Sequence, residues 1–382
     1  MVVQSMIFSR MFDPAIWAAV PFHFWSVALF VLGCMVGSFL NVCIHRLPVG
    51  ESVVSPPSHC PHCNYAIPWY LNIPLITWIY LRGKCRNCRA PISIRYFLVE
   101  LLTGIVFLAC WLQFGRQSLA LALIYCFFLA GLIVATFIDF EHFIIPDEIT
   151  IGGMVAGFLC SFFFPALHHF ASVQASLKQS LLGMGVGAGL IYLILRLGKL
   201  VFGKHKVELP AETRIVFTET AVLLPDKAIP YEELFYRQSD AIVLRARRVE
   251  LVDRCYQNVV VKLSPALLQI DEEKLNPETV PHLEAVSSEI VLPREAMGFG
   301  DVKFMGGIGA FLGWKAVIFS LMVSSAIGSV VGLTLIALGR RQARLPYGPY
   351  IAMAAAIWVF AGPQLIQWYE SLIASSVGLG GR

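Results

Sequence analysis

Long apolar runs, almost free of charged residues, recur along the chain at about 23–44, 97–114, 118–138, 149–166, 181–202, 315–338 and 349–368. Each is about the length a helix needs to cross the roughly 30 Å hydrocarbon layer of a bilayer. Backbone polar groups in hydrocarbon must be satisfied internally, which leaves helices or a closed barrel, and runs of this length select helices. A shorter run, about 303–313, follows Lys303 and adds an eighth segment, tilted or re-entrant. Composition agrees. The chain is 57% hydrophobic and 14% charged, whereas soluble domains are about one quarter charged. The first run is too long for a signal-peptide core and lacks a small-residue cleavage site, so it is read as retained. The predicted fold class is an α-helical polytopic membrane protein with about eight transmembrane helices. Within 181–202, Gly183, Gly185, Gly187 and Gly189 alternate, and small residues of this kind let membrane helices approach closely.

The charges are clumped, and their placement orients the chain. Lys and Arg accumulate in cytoplasmic loops. Segment 45–95 carries Arg46, Arg82, Lys84, Arg86, Arg89 and Arg95 against the single acid Glu51. Fixing it in the cytoplasm and threading eight spans places 139–148, the polar block 203–302 and the basic turn Arg340, Arg341, Arg344 on the same side. Arg116, Lys178, Lys315 and Arg10 fall outside. Without a crossing at 303–313 the basic turn would fall outside, which favours the crossing. The net charge of +4 and the lack of a basic stripe with interleaved aromatics argue against a nucleic-acid partner; the lipid bilayer is the partner expected.

Ten cysteines divide into two groups. Cys34, Cys43, Cys110, Cys126, Cys160 and Cys255 are scattered, mostly in apolar runs, and read as small buried residues. Cys60-Pro-His-Cys63 and Cys85-Arg-Asn-Cys88 form two C-x₂-C knuckles, a pattern that suits tetrahedral Zn²⁺. Four thiolates close the coordination shell, so the metal expected at Cys60, Cys63, Cys85 and Cys88 is structural. A cytoplasmic loop keeps its thiols reduced, which disfavours disulfides.

Ionisable groups at a membrane are costly, so acids there point to function. One cluster, 137–150, holds Asp139, Glu141 and Asp147; a second, Met297-Gly-Phe-Gly-Asp-Val-Lys303, holds Asp301. Threading brings both to the cytoplasmic face. Two carboxylates meeting there could share one proton: the ionised one takes a proton from water while its protonated neighbour polarises a scissile carbonyl. Gly298 and Gly300 flank Asp301 and permit close approach. The bland alternative is interfacial charges or helix caps. For Asp147, which follows Pro146, capping is the better reading. Spacing alone does not choose among Asp139, Glu141 and Asp147. No G-x-S-x-G elbow occurs, so a Ser-His-Asp triad is not supported, and His45, His142, His168 and His169 receive no role.

The chain resembles the type IV prepilin leader peptidases, membrane enzymes of the GxGD aspartic class. The resemblance rests on Gly37-Ser-Phe-Leu-Asn-Val-Cys-Ile-His-Arg-Leu-Pro48, the paired knuckles, Asn72-Ile-Pro74, Arg95-Tyr-Phe-Leu-Val-Glu100, Ile138-Asp139 through Pro146-Asp147, Met297–Lys303 and Tyr347-Gly-Pro349. It implies catalytic aspartates at Asp139 and Asp301, with Gly298, Gly300, Lys303 and Asp147 in support. It implies removal of a basic leader from type IV prepilins and type II secretion pseudopilins, at the cytoplasmic start of the substrate's apolar helix, in the bacterial inner membrane. Many members then methylate the new N-terminus with S-adenosylmethionine, and Gly83, before the second knuckle, is the residue implicated in that step. Phe97 stands where the family has Pro, and Ile145 where it has Leu.

The large departure is residues 203–297, where the family usually has a brief connection. The block is polar with strand-like alternation at Arg214–Thr218 and Ala241–Val252. It ends in a Pro/Glu-rich stretch that reads as linker. The expected organisation is therefore 1–44 (N-terminus and first helix), 45–96 (zinc loop), 97–202 (helices two to five with Asp139), 203–297 (inserted cytoplasmic β-rich domain) and 298–382 (Asp301 loop and the last helices). Two other readings stand beside the bifunctional enzyme: a peptidase without methyltransferase activity, and a non-enzymatic scaffold or transporter with a zinc loop. Transporters typically carry internal repeats and midplane charges; no repeat is visible here and the acids lie at one face.

Overall fold

A computed structural model describes residues 21–376 apart from 203, 226, 232–233, 236–239, 252, 281, 294–297 and 340–344. Arg10, Met297 and the basic turn Arg340, Arg341 and Arg344 therefore lie outside the described residues. The chain divides into two compact units, Met1–Tyr192 with Phe299–Arg382, and Leu193–Gly298.

The first unit is helical. Its elements are α1 (Phe22–Arg46), the short α2 (Ile76–Tyr80), α3 (Ile94–Phe114), α4 (Leu119–His142), α5 (Asp147–Phe163), α6 (Val173–Phe202, which runs into the second unit), α7 (Phe299–Ala337) and α8 (Gly348–Ser376). Among the described residues six helices are long and apolar enough to cross a membrane: α1, α3, α4, α6, α7 and α8. The run expected as a fourth span folds as α5, whose 17 residues extend about 25 Å at 1.5 Å per residue. The short run 303–313 and the run after it are one 39-residue element broken at Gly313, where φ 77° and ψ 173° leave the helical region. The break expected from sequence thus exists as a kink rather than a loop.

Local signals start and stop these helices. Ser93 accepts a hydrogen bond from Arg95 N–H at the head of α3, and Ser118 from Leu121 N–H at the head of α4, each filling one of the donors left open at a helix start. Phe143, with φ 56°, turns left-handed and ends α4. Pro146 then leads into α5.

Packing between helices is backbone on backbone. A methyl group added at Gly33 would lie 2.8 Å from Gly104 Cα, and one at Gly37 would lie 2.7 Å from Glu100 Cα, so α1 and α3 touch along their glycines. Of the four alternating glycines in α6, a methyl group added at Gly183 would collide with the Gly309 carbonyl and one added at Gly187 with that of Met305, whereas Gly185 and Gly189 face open space. The expectation of close packing holds for one pair only, because residues four apart share a helix face and residues two apart do not.

A buried polar group fixes the connection from α5 to α6. His168 is buried and lies 2.9 Å from Ser161 Oγ through Nε2. Its ring also bonds the Ala310 carbonyl in α7, which accepts from Ser180 Oγ at 2.9 Å as well.

The second unit is one antiparallel eight-stranded sheet in the order β3-β2-β1-β8-β4-β5-β6-β7. The strands are β1 (Lys204–Phe217), β2 (Ala221–Leu224), β3 (Lys227–Pro230), β4 (Ile242–Glu250), β5 (Cys255–Leu263), β6 (Leu268–Ile270), β7 (Glu273–Leu275) and β8 (Leu283–Pro293). Period-two alternation puts Ile242, Leu244 and Ala246 of β4 and Leu283 and Ala285 of β8 into one apolar core, and Ile290 joins it after a one-residue shift of phase. Within the stretch expected as linker, Leu283–Pro293 is therefore a strand of the sheet. β8 lies between β1 and β4, and its acids Glu284 and Glu289 fall on less buried positions, pairing Arg214 and Lys206.

Burial depresses the His168 pKa to about 4 from an ordinary 6.5. A depressed histidine contributes stability that is complete above the unfolded pKa and is lost as pH falls from about 6.5 toward 4. Thermal unfolding of the purified protein should show a melting temperature that drops between pH 7 and pH 5, with a shallower drop in His168→Gln.

Candidate active site

Asp139 occupies the last turn of α4 and is buried. Its Oδ2 accepts a hydrogen bond of 2.9 Å from the backbone N–H of Gly348, the first residue of α8. A methyl group added at Gly348 would stand 2.6 Å from that same Oδ2 and 3.1 Å from Ile145 Cδ1. Only glycine fits this place. Sequence reading had used Tyr347-Gly-Pro349 as a landmark and given Gly348 no role. Its contact depends on where α8 begins relative to α4, 209 residues away.

Asp301 lies in the first turn of α7 and is also buried. The residue before it, Gly300, packs on Ile145, with an added methyl 3.4 Å from Ile145 Cβ. Ile145 thus touches the backbone beside Asp301 and the glycine that binds Asp139, and so links the two acidic segments. Gly300 has no positive φ and a methyl group there would meet only ordinary van der Waals contact; Gly298 is exposed.

Two other acids at this end, Asp147 and Glu141, have cationic partners. Lys303 Nζ bonds Asp147 Oδ1 at 2.6 Å and lies over the Phe299 ring at 5.4 Å. The pair is partly exposed, which limits it to at most about 1 kcal/mol, but it ties the start of α7 to the start of α5. Asp147 is the first helical residue of α5, with Pro146 at the cap position and no side-chain cap bond. Its charge favours the helix N-terminus through the dipole instead of capping it. Glu141 is paired with Arg95 at the head of α3. Of the four acids in the first cluster, Asp139, Glu141, Asp147 and Glu148, Asp139 is the buried one.

An apolar cavity of about 520 Å³ lies between α1, α4, α5 and α7, the last three carrying Asp139, Asp147 and Asp301. Phe39, Phe127, Gly131, Gly153 and Ile308 are among its walls. Side chains added at Gly131, Gly152 or Gly153 would meet nothing.

The four knuckle cysteines converge. All four sulfurs lie within 4.8 Å of one another, with Cys60–Cys88 at 3.8 Å and Cys63–Cys85 at 4.0 Å. Tetrahedral zinc with Zn–S of about 2.3 Å sets its sulfurs about 3.8 Å apart, so the set fits such an ion. The two knuckles repeat one geometry. Cys60 N–H bonds the Tyr65 carbonyl, and Cys85 N–H that of Ala90. Asn64 and Arg89, each four residues after the first cysteine, are left-handed at φ 53° and 62°. Backbone N–H groups of Cys88 and Asn87 turned toward Cys85 bring its pKa down to about 6. The Tyr65 N–H, then the Asn87 amide at 3.6 Å, lower that of Cys63. Both effects favour the metal-binding thiolate.

Gly83 sits between α2 and the second knuckle at φ 66°, and an added methyl would lie 2.9 Å from Trp78 Cζ2. Its N–H bonds the Trp78 carbonyl and its carbonyl accepts from Ile92 N–H at 2.7 Å. The geometry gives Gly83 a structural task, the turn that aims Cys85 at its partners.

A family description, the bacterial peptidase A24 N-terminal domain, matches residues 31–114. Another, the type IV leader peptidase family, matches residues 126–209 and 280–333, passing over most of the sheet. The chain is 31% identical to a prepilin leader peptidase/N-methyltransferase of Myxococcus xanthus, over 91% of this chain and 76% of that protein. It is 29% identical to one of Aeromonas hydrophila, over 91% and 94% respectively. No solved structure matches.

The left-handed turn and the Trp78 contact make a prediction for Gly83→Ala. A side chain in that conformation costs on the order of 1–2 kcal/mol, and trypsin should cut between Arg82 and Arg89 several-fold faster than in wild type. Gly50→Ala, also left-handed at φ 69° but facing open space, should have the smaller effect.

Proposed function

The chain belongs to the type IV leader peptidase family, and on that premise we propose that Asp139 and Asp301 are the carboxylate pair that cleaves a prepilin at the cytoplasmic face of the bacterial inner membrane. Prepilin peptidase with N-methyltransferase activity is the function this membership carries. The observation that supports the choice of residues is the shared contact at Ile145, which sets two buried aspartates on adjoining segments. The Gly348 N–H orients the Asp139 carboxylate. One ionised carboxylate takes a proton from the attacking water; its protonated partner donates toward the scissile carbonyl, and burial away from bulk water strengthens both effects. The apolar cavity receives the apolar segment of the substrate beyond the cleavage point, and the exposed Glu148 at this end suits a basic leader. Pseudopilins are substrates of the same chemistry.

The eight-segment topology, with 45–96 and 203–297 in the cytoplasm, supplies the orientation. Cys60, Cys63, Cys85 and Cys88 hold a structural Zn²⁺, which would cross-link the two halves of the 45–96 loop. S-adenosylmethionine supplies the methyl group for the second activity. Gly83 supports that activity by shaping the loop. The sheet unit docks a partner or gates substrate access; deleting residues 207–292 and finding every native substrate processed at the wild-type rate would exclude both roles.

Purified protein with a synthetic prepilin tests the dyad. Asp139→Asn and Asp301→Asn should each abolish cleavage, Gly348→Ala should remove most of it, and Glu141→Gln should keep it; normal cleavage by either Asn variant would overturn the assignment. Labelled S-adenosylmethionine in the same assay reads the second activity. Metal analysis should find about one zinc per chain, lost in the Cys60→Ser/Cys63→Ser double variant.

A further inference from the structure

The segment between the knuckles carries an apolar surface that the proposed chemistry does not use. Trp69 is 82% exposed, Tyr80 74%, Ile76 65% and Ile79 60%, with Tyr70 and Ile73 exposed beside them. Ile76, Ile79 and Tyr80 fall at i, i+3 and i+4, so they form one face of α2. The other side of this segment is docked. Leu75 N–H donates to Glu100 Oε2 at 2.7 Å, Trp78 packs against Phe97 with centroids 5.4 Å apart, and Trp78 Nε1 donates to the Ile92 carbonyl.

These contacts fix the depth of α2. Helix α3 has 21 residues and spans about 31 Å, so nearly all of it is needed to cross a hydrocarbon layer of about 30 Å. Phe97 and Glu100 lie three and six residues into it, about 5 to 9 Å below its first residue at 1.5 Å per residue. The face of α2 therefore stands level with the outer turns of a spanning helix. Helix α3 itself carries the exposed apolar residues Ile94, Leu98 and Leu102. Aromatic residues prefer this headgroup level. Arg82, Lys84, Arg86 and Arg89 border the segment in the sequence, and Glu51 is the sole acid between Leu47 and Ser93.

We propose that residues 69–80 form an interfacial foot that lies in the anionic headgroup layer and holds the knuckle loop against the membrane. An apolar face with a basic border is the chemistry of a segment lying in such a layer. The same border repels a basic peptide, so the foot is not the seat of the leader. Anchored this way, the turn at Gly83 and the second knuckle are fixed in height relative to the membrane face at which α4 and α7 carry their acids.

The test uses the full-length protein in lipid nanodiscs containing phosphatidylglycerol. Wild-type tryptophan emission minus that of Trp69→Phe isolates Trp69, which is exposed enough to replace without disturbing the core. Lipids brominated high on the acyl chain should reduce this difference about twofold, the depth expected of an aromatic at the interface, and aqueous iodide should have little effect. Ile76→Glu/Ile79→Glu should reverse both responses while leaving the six spanning helices folded by circular dichroism. Equal emission with and without bromine, together with free quenching by iodide, overturns the proposal. So does shielding of Trp69 that rises with protein concentration and ignores bromination, which would assign the face to a second copy.

Discussion

Hydrocarbon offers no hydrogen bonds, and a polar group left alone in it costs several kcal/mol. Several polar residues carried by these helices are held by partners inside the protein. Asn41 reaches the Tyr96 carbonyl at 3.0 Å, Glu100 takes the Leu75 N–H, Asp139 takes the Gly348 N–H, and His168 is held between Ser161 and the Ala310 carbonyl. Each of these contacts joins two elements that are distant in sequence. Together they set the register of α1 on α3, the loop on α3, α8 on α4 and the α5–α6 connection on α7.

Close approach of backbones makes these contacts reachable. Gly33 and Gly37 bring α1 onto α3, and Gly183 and Gly187 bring α6 onto α7, at distances where a single methyl group would collide. Where polar solvation is absent, packing of this kind supplies much of the attraction between helices. The same device shapes the site. Gly348 is required because Asp139 already occupies the space a side chain would fill. The glycines facing the cavity, Gly131, Gly152 and Gly153, differ in meeting nothing, as suits a wall kept free for a guest.

Two features outside the dyad share one loop. The knuckles fold as near copies, each with a left-handed residue four places after its first cysteine, and their sulfurs converge at tetrahedral spacing. Between them the chain spends a dozen residues on an exposed apolar surface and a docked tryptophan. Gly83 connects the two, because its left-handed turn is the step from Trp78 to Cys85.

Much of this was legible in the sequence, because its signals are local. Apolar length marked the helices, and cysteine spacing marked the four-cysteine cluster. Alternation marked the strands of the inserted unit. A break near residue 313 could be read from run length alone. The resemblance, carried by short motifs, selected Asp139 from three neighbouring acids. What the sequence could not give was anything decided by two elements meeting. Gly348 was a glycine in a landmark until α8 was placed against α4. β8 passed for a linker because the residues that bury it belong to β1 and β4. Gly185 and Gly189 could not be told from Gly183 and Gly187 until one face of α6 was laid on α7. Period and composition are properties of one segment and survive in the sequence; contact between segments depends on how far apart they lie in space, which only the folded chain decides.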